Sequence, residues 1–417
     1  MKIGVFTDLH LGKRQYGLQE REEDFYSQYD YAINCFVQEN VDLVICAGDV
    51  FDMARPSPKA IGRFYNGVKT LDEHNIYFVN IIGNHSMIQS PNFLTPDELT
   101  KDFTGNSYTL LDVERDIVLD DVYIAGLPFH FNYEYNSLKE KIELLNNKAF
   151  ESHKKSKILV LHQAFKEFCG FSGESLSIND INVSNFDLVI CGHIHEKKLI
   201  EMDDGDFVFL QPGSLERSSI AEASDEENQG KGIFILDTDH LDVNSIAESF
   251  VRLQNPRKFF ISDMYMDSVE DVNNIEQEIL AGISHCKVPP ILFLKIHDKS
   301  GSFQRVLDMT KDLRSHFLTV NFNYFDENLE IENVIVENSN DIPSPREAVK
   351  IALNPMDKDE RALGLDLYDS LKDGKDVTKI LDDFLEKRKS DYESVYDKHC
   401  YTDEDLDELE SFFDNLG

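Results

Sequence analysis

Five short apolar runs in the first half of the chain each end on a side chain able to bind a metal ion. "KIGVF" leads into "TDLH", "VDLVICAG" into Asp49, "IYFVNIIG" into Asn84 and His85, "KILVL" into His162, and "FDLVICG" into "HIH". Runs of this length, separated by helix-period patterns, predict alternating strands and helices. In α/β sheets the carboxyl ends of the strands are where ligands bind. The pattern therefore restricts the fold to an α/β core that carries its chemistry along one sheet edge. Three later runs, "VYIAGLP", "DFVFLQPGS" and "KGIFILD", extend the same domain to about residue 250.

Beyond that point the character changes. Residues 259 to 326 read as strand, helix, strand, helix, strand, which predicts a small second α/β domain within 251–340. From 341 to 417 the pattern is helical. Val377, Ile380, Leu381, Phe384 and Leu385 fall at i, i+3, i+4, i+7 and i+8 there, an apolar stripe that needs a cover.

Asp8 and His10 stand two apart, so an extended segment points both side chains the same way. With Asp49, Asn84, His162, His193 and His195 they make a donor set of oxygen and imidazole with no thiolate, suited to divalent manganese or magnesium. That set is too large for one tetrahedral site. It fits two ions roughly 3.5 to 4 Å apart that share a carboxylate. Phosphodiester hydrolysis calls for this arrangement, because it needs a hydroxide near neutral pH and relief of charge on the phosphate oxygens. His85, beside Asn84, is placed to face a scissile phosphate and protonate the departing oxygen. Lone histidines such as His74, His130 and His153 are expected at the surface or satisfied in the core. Cys46 and Cys191 precede ligands but sit inside apolar runs, and are expected in the core.

The formal charge of 41 basic against 78 acidic residues, −37, repels a polyanion at long range and argues against a nonspecific nucleic-acid coat. It does not exclude a nuclease, since metal ions reverse the local potential where a phosphate sits. The last stretch, "YTDEDLDELESFFDNLG", reads as a solvated or partner-facing tail. No apolar stretch approaches the roughly 18 residues of a membrane helix, and no leader pattern opens the chain, so a cytoplasmic (or nucleoid-associated) protein is expected. The six cysteines show no CxxC pairing and are expected to be reduced.

In this order, "DLH", "GDVFD", "GNH", "LHQ" and "GHIH" resemble the calcineurin-like metallophosphoesterase superfamily. The flanking "DLHLGKRQYGLQEREEDF", "RPSPKA" and "QPGSLERSS" narrow the resemblance to the DNA double-strand-break repair nucleases called Mre-eleven (Mre11) in archaea and eukaryotes and SbcD in bacteria. It runs through residues 1–250 and continues more loosely to the end. The resemblance implies a four-layer α/β/β/α core, a capping domain that grips DNA and a helical segment docking on an SMC-like ATPase of the Rad-fifty/SbcC type. It also implies a homodimer, with manganese-dependent duplex exonuclease and single-strand endonuclease activity. One ion would be held by Asp8, His10, Asp49 and His195, the other by Asp49, Asn84, His162 and His193, with Asp49 as the bridge.

Two positions depart from the family pattern. Archaeal and eukaryotic relatives typically carry histidine where this chain has Asp52, which becomes a candidate for tuning phosphate contact or strand choice. Ser86 replaces the acid that commonly follows "GNH". Lys13, Arg14, Arg55 and Arg217 stand beside site motifs and are candidates to reach phosphates, and Tyr16 to stack or pack against a duplex end. Each has an equally plain alternative as a solvated loop residue or an internal ion-pair partner. A phosphoesterase with a non-DNA substrate and a scaffold subunit with a weak site are the competing functions.

Overall fold

The computed structural model describes residues 1–86, 95–100, 104–168, 176–202, 207–223, 230–254, 256–266, 268–298, 303–326 and 334–336. By its contacts the chain divides into two units. The first takes in Met1–Met264, Glu270–Lys295 and Asp312–Asn321; the second takes in Tyr265–Val269, Ile296–Lys311 and the described residues after Asn321.

In the first unit β1 (Lys2–Phe6), α1 (Gln19–Gln38), β2 (Leu43–Cys46), α2 (Pro58–Glu73), β3 (Tyr77–Ile81) and β4 (Ser107–Leu110) alternate strand and helix. Then follow β5 (Ile117–Leu119), β6 (Val122–Leu127), α3 (Tyr135–Glu151), β7 (Ser156–His162), β8 (Leu188–Gly192), β9 (Lys198–Met202), β10 (Phe207–Gln211), β11 (Gly232–Asp237), α4 (Val243–Glu248) and β12 (Phe250–Arg252). The strands make two six-stranded sheets, ordered β12-β11-β1-β2-β3-β4 and β5-β6-β7-β8-β10-β9. Strands β1 to β4 run parallel in one sheet, and β6, β7, β8 and β10 in the other.

The period-2 alternation of side chains sorts each strand between two cores. Ile3, Val5, Leu43, Ile45, Val79 and Ile81 pack with Ile124, Ile158, Val160, Leu188 and Ile190 in one cluster shared by the two sheets. Their neighbours Phe6, Val44, Cys46 and Phe78 point the other way, against Tyr29, Phe36, Phe64 and Val68 of α1 and α2. On the far side Leu159, Leu161, Val189 and Cys191 meet Leu138, Ile142, Leu145 and Ala149, one face of α3. The central strands are buried on both faces, which is why they read as unbroken apolar runs. The layers are helix, sheet, sheet, helix, the four-layer α/β/β/α core expected.

Helix α2 starts at a Ser57 cap, whose Oγ accepts from the Ala60 N–H at 3.2 Å, followed by Pro58 at the first helical position. Among the described residues Cys35, Cys46 and Cys191 are free thiols. Burial pushes the Cys191 thiol up to about 12 and the Cys46 thiol up as well, so both are inert core residues.

Residues 259 to 326 hold β13 (Phe259–Tyr265), α5 (Val269–Ile283), β14 (Ile291–Asp298), α6 (Phe303–Met309) and β15 (Thr319–Asp326), the expected alternation. With β16 (Val334–Val336) these strands form a four-stranded sheet, β13-β14-β15-β16. The division into units passes within this segment. The stripe at Val377, Ile380, Leu381, Phe384 and Leu385 lies outside the described residues. No helix among the described residues is long and apolar enough to cross a membrane.

Candidate metal centre

Parallel strands deliver their carboxyl ends to the same edge, and there the seven donors meet. Asp8 and His10 follow β1, Asp49 follows β2, Asn84 follows β3, His162 ends β7, and His193 and His195 follow β8. The chain turns sharply as it leaves each strand. Asp8, His10, Asp49 and His193 all hold positive φ, at 52°, 44°, 49° and 92°, a backbone region that costs of order 1–3 kcal/mol for residues with a side chain. Four of the eight non-glycine residues at positive φ among the described residues are these donors. Gly48, at φ +97°, admits no side chain, because a Cβ there would collide with the His162 ring.

Ligand-capable atoms of Asp8, His10 and His195 lie within 4.8 Å of one another, as do those of Asp49, His162 and His193. His10 Nε2 and His195 Nε2 face each other at 3.0 Å, with Asp8 Oδ1 3.8 Å from the latter. His162 Nε2 stands 3.2 Å from Asp49 Oδ2 and 3.1 Å from Asn84 Oδ1, and His193 Nδ1 is 2.8 Å from the same amide oxygen. Lone pairs converging this closely need a proton or a cation among them. With all donors oxygen or imidazole nitrogen, the set fits hard or borderline divalent ions.

Outer contacts orient these donors. His162 Nδ1 is 2.7 Å from the Ala47 carbonyl and donates to it, which turns Nε2 inward. His195 Nδ1 lies 2.6 Å from Ser218 Oγ and 3.3 Å from Glu222 Oε1, and Lys231 Nζ donates to Glu222 Oε2 at 2.5 Å. Burial would raise the Glu222 carboxyl, but Lys231 and His195 outweigh it and hold it well below the usual range. The His193 backbone N–H donates to both Asp8 oxygens at 3.2 Å, and the His85 N–H donates to Asp49 Oδ1 at 2.9 Å.

Protonation follows the same geometry. Burial would depress His162, but the Asp49 carboxylate overrides it and lifts the imidazole to about 9. Burial and the charge of His162 push His193 down to about 4. A single proton thus sits between Asp49 and His162, where a cation would otherwise stand.

His85 is half-buried, its Nδ1 donating to the Asp52 carbonyl at 2.7 Å. The Asp52 carboxylate binds Lys13 Nζ at 2.8 Å and lies 3.4 Å from His10 Nδ1. Burial would raise that carboxyl, but the His10 and Lys13 contacts outweigh it and hold it at about 2. Asp52 therefore braces a histidine.

The cations expected at phosphates are used inside the protein in two cases. Lys13 is the partner of Asp52. Arg217, wholly buried, donates from Nε to the Glu222 carbonyl at 3.1 Å and from Nη1 to the Arg257 carbonyl at 3.1 Å, so it cannot face DNA and that expectation is corrected. Arg14 is exposed and pairs with Glu22 at 3.2 Å, and Arg55 is exposed. Tyr16 meets Phe293 edge-on with ring centroids 6.4 Å apart. His130 is a core histidine, 5 % exposed, with Nδ1 donating to the Pro128 carbonyl at 2.8 Å.

Sequence reasoning missed the outer supports. Glu222, Ser218 and Lys231 come from the segment around the loop "AEASDEENQGKG", whose composition resembles a linker. Asp97 was missed as well: Ser86 Oγ donates to its Oδ2 at 2.7 Å, so an acid reaches the segment after Asn84 from eleven residues downstream. Burial pushes that carboxyl up to about 7. The threonine-rich "LTPDELT" around Asp97 suggests a helix cap and nothing more.

Residues 1–197 match the calcineurin-like phosphoesterase family. Among curated proteins, the chain is 30% identical to the DNA double-strand break repair protein Mre11 of Methanococcus maripaludis over 344 residues, covering 81% of this chain and 88% of that one. It is 27% identical to the protein of the same name from Sulfolobus acidocaldarius, covering 71% and 75%. A third, from Thermoplasma acidophilum, is 30% identical, covering 70% and 76%.

Proposed function

Because this chain belongs to the Mre11 family of DNA double-strand break repair proteins, we propose that the centre described above is the active site of a two-metal DNA nuclease. The enzyme is a metal-dependent phosphodiesterase, and its family implies divalent metal ions. The observation that carries the nuclease reading is the meeting of Asp8, His10, Asp49, Asn84, His162, His193 and His195 at one edge shared by two sheets, with His85 beside them.

Asp8, His10, Asp49 and His195 would hold one ion and Asp49, Asn84, His162 and His193 the other, with Asp49 between the two. Two such ions, manganese in the first place, would supply a hydroxide near neutral pH and draw charge off the phosphate oxygens when bound. The protein contributes placement. His162 is locked in one tautomer by the Ala47 carbonyl, and His195 is steered by Ser218 and Glu222. His85, whose Nδ1 is engaged by the Asp52 carbonyl, presents Nε2 to protonate the departing oxygen. Asp52 acts through His10 and Lys13 rather than on the phosphate.

We further propose duplex exonuclease and single-strand endonuclease activity, a homodimer, and partnership with an SMC-like ATPase in the cytoplasm or at the nucleoid. Residues 251–340 would grip DNA, and the stripe of Val377, Ile380, Leu381, Phe384 and Leu385 would dock the ATPase. The test is manganese-dependent release of nucleotides from linear duplex DNA. His85→Ala is expected to lose it while still binding two ions. No DNA degradation by the wild type, alone or with its ATPase, would overturn the nuclease reading in favour of a phosphoesterase with another substrate.

A further inference from the structure

A row of rings leads outward from the metal centre. Phe129 lies against His193 with centroids 5.4 Å apart and against His162 at 6.3 Å. Phe131 meets Phe129 edge-on at 5.2 Å, and Tyr133 stacks on Phe131 at 5.5 Å with 5° between the planes. The three occupy alternate positions of "PFHFNYEY", the segment after β6, and Tyr133 is 74% exposed. None of them belongs to the apolar clusters of the core.

The segment is held in place. The Phe129 N–H donates to the Ile82 carbonyl at 2.9 Å, Gln163 Nε2 to the His130 carbonyl at 2.8 Å, and the Phe131 N–H to Glu134 Oε2 at 2.9 Å. Ile82 lies two residues before Asn84 and Gln163 follows His162, so the ring row and the ligands share a frame.

Electrostatics near the centre gives the row its meaning. Lys13 is committed to Asp52, Arg14 pairs with Glu22, and Arg217 is buried on two carbonyls, in a chain of net charge −37. Of the four cations that flank the site motifs, Lys13, Arg14 and Arg217 are thus engaged within the protein and Arg55 is exposed, so among the described residues few of these cations are left for phosphates. Flat rings bind bases by their faces, without regard to sequence or charge. A base inside a duplex has its faces covered by its neighbours, whereas an unpaired strand offers them. We propose that Phe129, Phe131 and Tyr133 form a stacking platform whose exposed outer ring, Tyr133, receives an unpaired base of a DNA strand next to the phosphate presented to the metal centre. This rests on the nuclease reading above and names the form of DNA the centre takes.

The probe is a short single-stranded oligodeoxynucleotide carrying 2-aminopurine, mixed with the full chain while divalent ions are chelated. Stacking is expected to quench its fluorescence on binding. Tyr133→Ala is expected to lose the quench and weaken binding roughly 5- to 100-fold, the scale of one base–aromatic contact. The factor should be the same at low and high salt, whereas loss of a phosphate contact changes the salt slope. Tyr133→Trp is expected to restore both readouts, which a merely unfolded loop would not allow. If Tyr133→Ala binds and quenches like the wild type, or the wild type holds a blunt duplex as tightly as the single strand, the platform is refuted while manganese-dependent DNA cleavage keeps the nuclease reading. Neither DNA binding nor cleavage by the wild type overturns both.

Discussion

Three residues apart in "GDVFD", two carboxylates have separated into different tasks. Asp49 is buried, held by the His85 N–H and faced by His162, while Asp52 turns to Lys13 and His10. We expect Asp49→Ala to abolish catalysis and the binding of both ions by calorimetry. Asp52→Ala, which removes a brace from His10, should cost about 10- to 100-fold in metal affinity. Asp52→His keeps a polar group near His10 Nδ1 and should leave both ions bound with altered turnover; loss of metal there would refute the bracing role. Asp97 gives a second residue-scale outcome. Its carboxyl is raised by burial to about 7, above the ordinary unfolded value near 4, so its protonated form favours the fold and that contribution fades as pH rises from about 4 to 7. The ionised form costs up to about 4 kcal/mol above that window. Asp97→Asn should therefore gain stability over the wild type at pH 8 but not at pH 4 in urea unfolding, and an equal difference at both would sink the assignment.

At the scale of elements, the candidate ligands belong to turns rather than to strands. Apart from His162, which ends β7, each donor follows its strand by a few residues, and positive φ at Asp8, His10, Asp49 and His193 aims those side chains. Gly48 completes the turn after β2 where any side chain would strike His162. We expect Gly48→Ala to lose more than about 1 kcal/mol from left-handed backbone alone, with a fall in metal affinity from displacement of His162. A Gly48→Ala variant with wild-type unfolding midpoint and metal binding would show that His162 has room to move. The strand-end donors were legible because a run followed by D-x-H, G-D or G-H-x-H has both period and chemistry. Orientation was not: Lys13 and Arg217 flank site motifs in sequence, yet one turns to Asp52 and the other is buried on carbonyls.

For the molecule as a whole, two sheets built from separate stretches of chain bring one edge together, and the centre exists only where they meet. Without metal, the proton shared by Asp49 and His162 fills the place of a cation. His162, raised to about 9, contributes stability fully below its unfolded value near 6.5 and loses it as pH rises through 9. Metal must displace that proton and any held by His195, whose imidazole is raised as well, so affinity should rise with pH by at least about tenfold per unit up to about pH 9 and then level, with proton release into buffer. A flat profile from pH 7 to 9 would contradict the shared-proton state. The four layers were implied by the family resemblance of the ordered motifs. The amino-acid order by itself determined the α/β class and the residues able to bind metal, because periodicity and strand-end chemistry are local properties of the chain. Only the tertiary structure decided what braces them: Glu222 from a linker-like loop, Asp97 reaching Ser86, and the ring row from His193 to Tyr133. The contacts of Glu222 with His195 and of Phe129 with His193 join residues remote in sequence, and their existence depends on how strand ends come together in space.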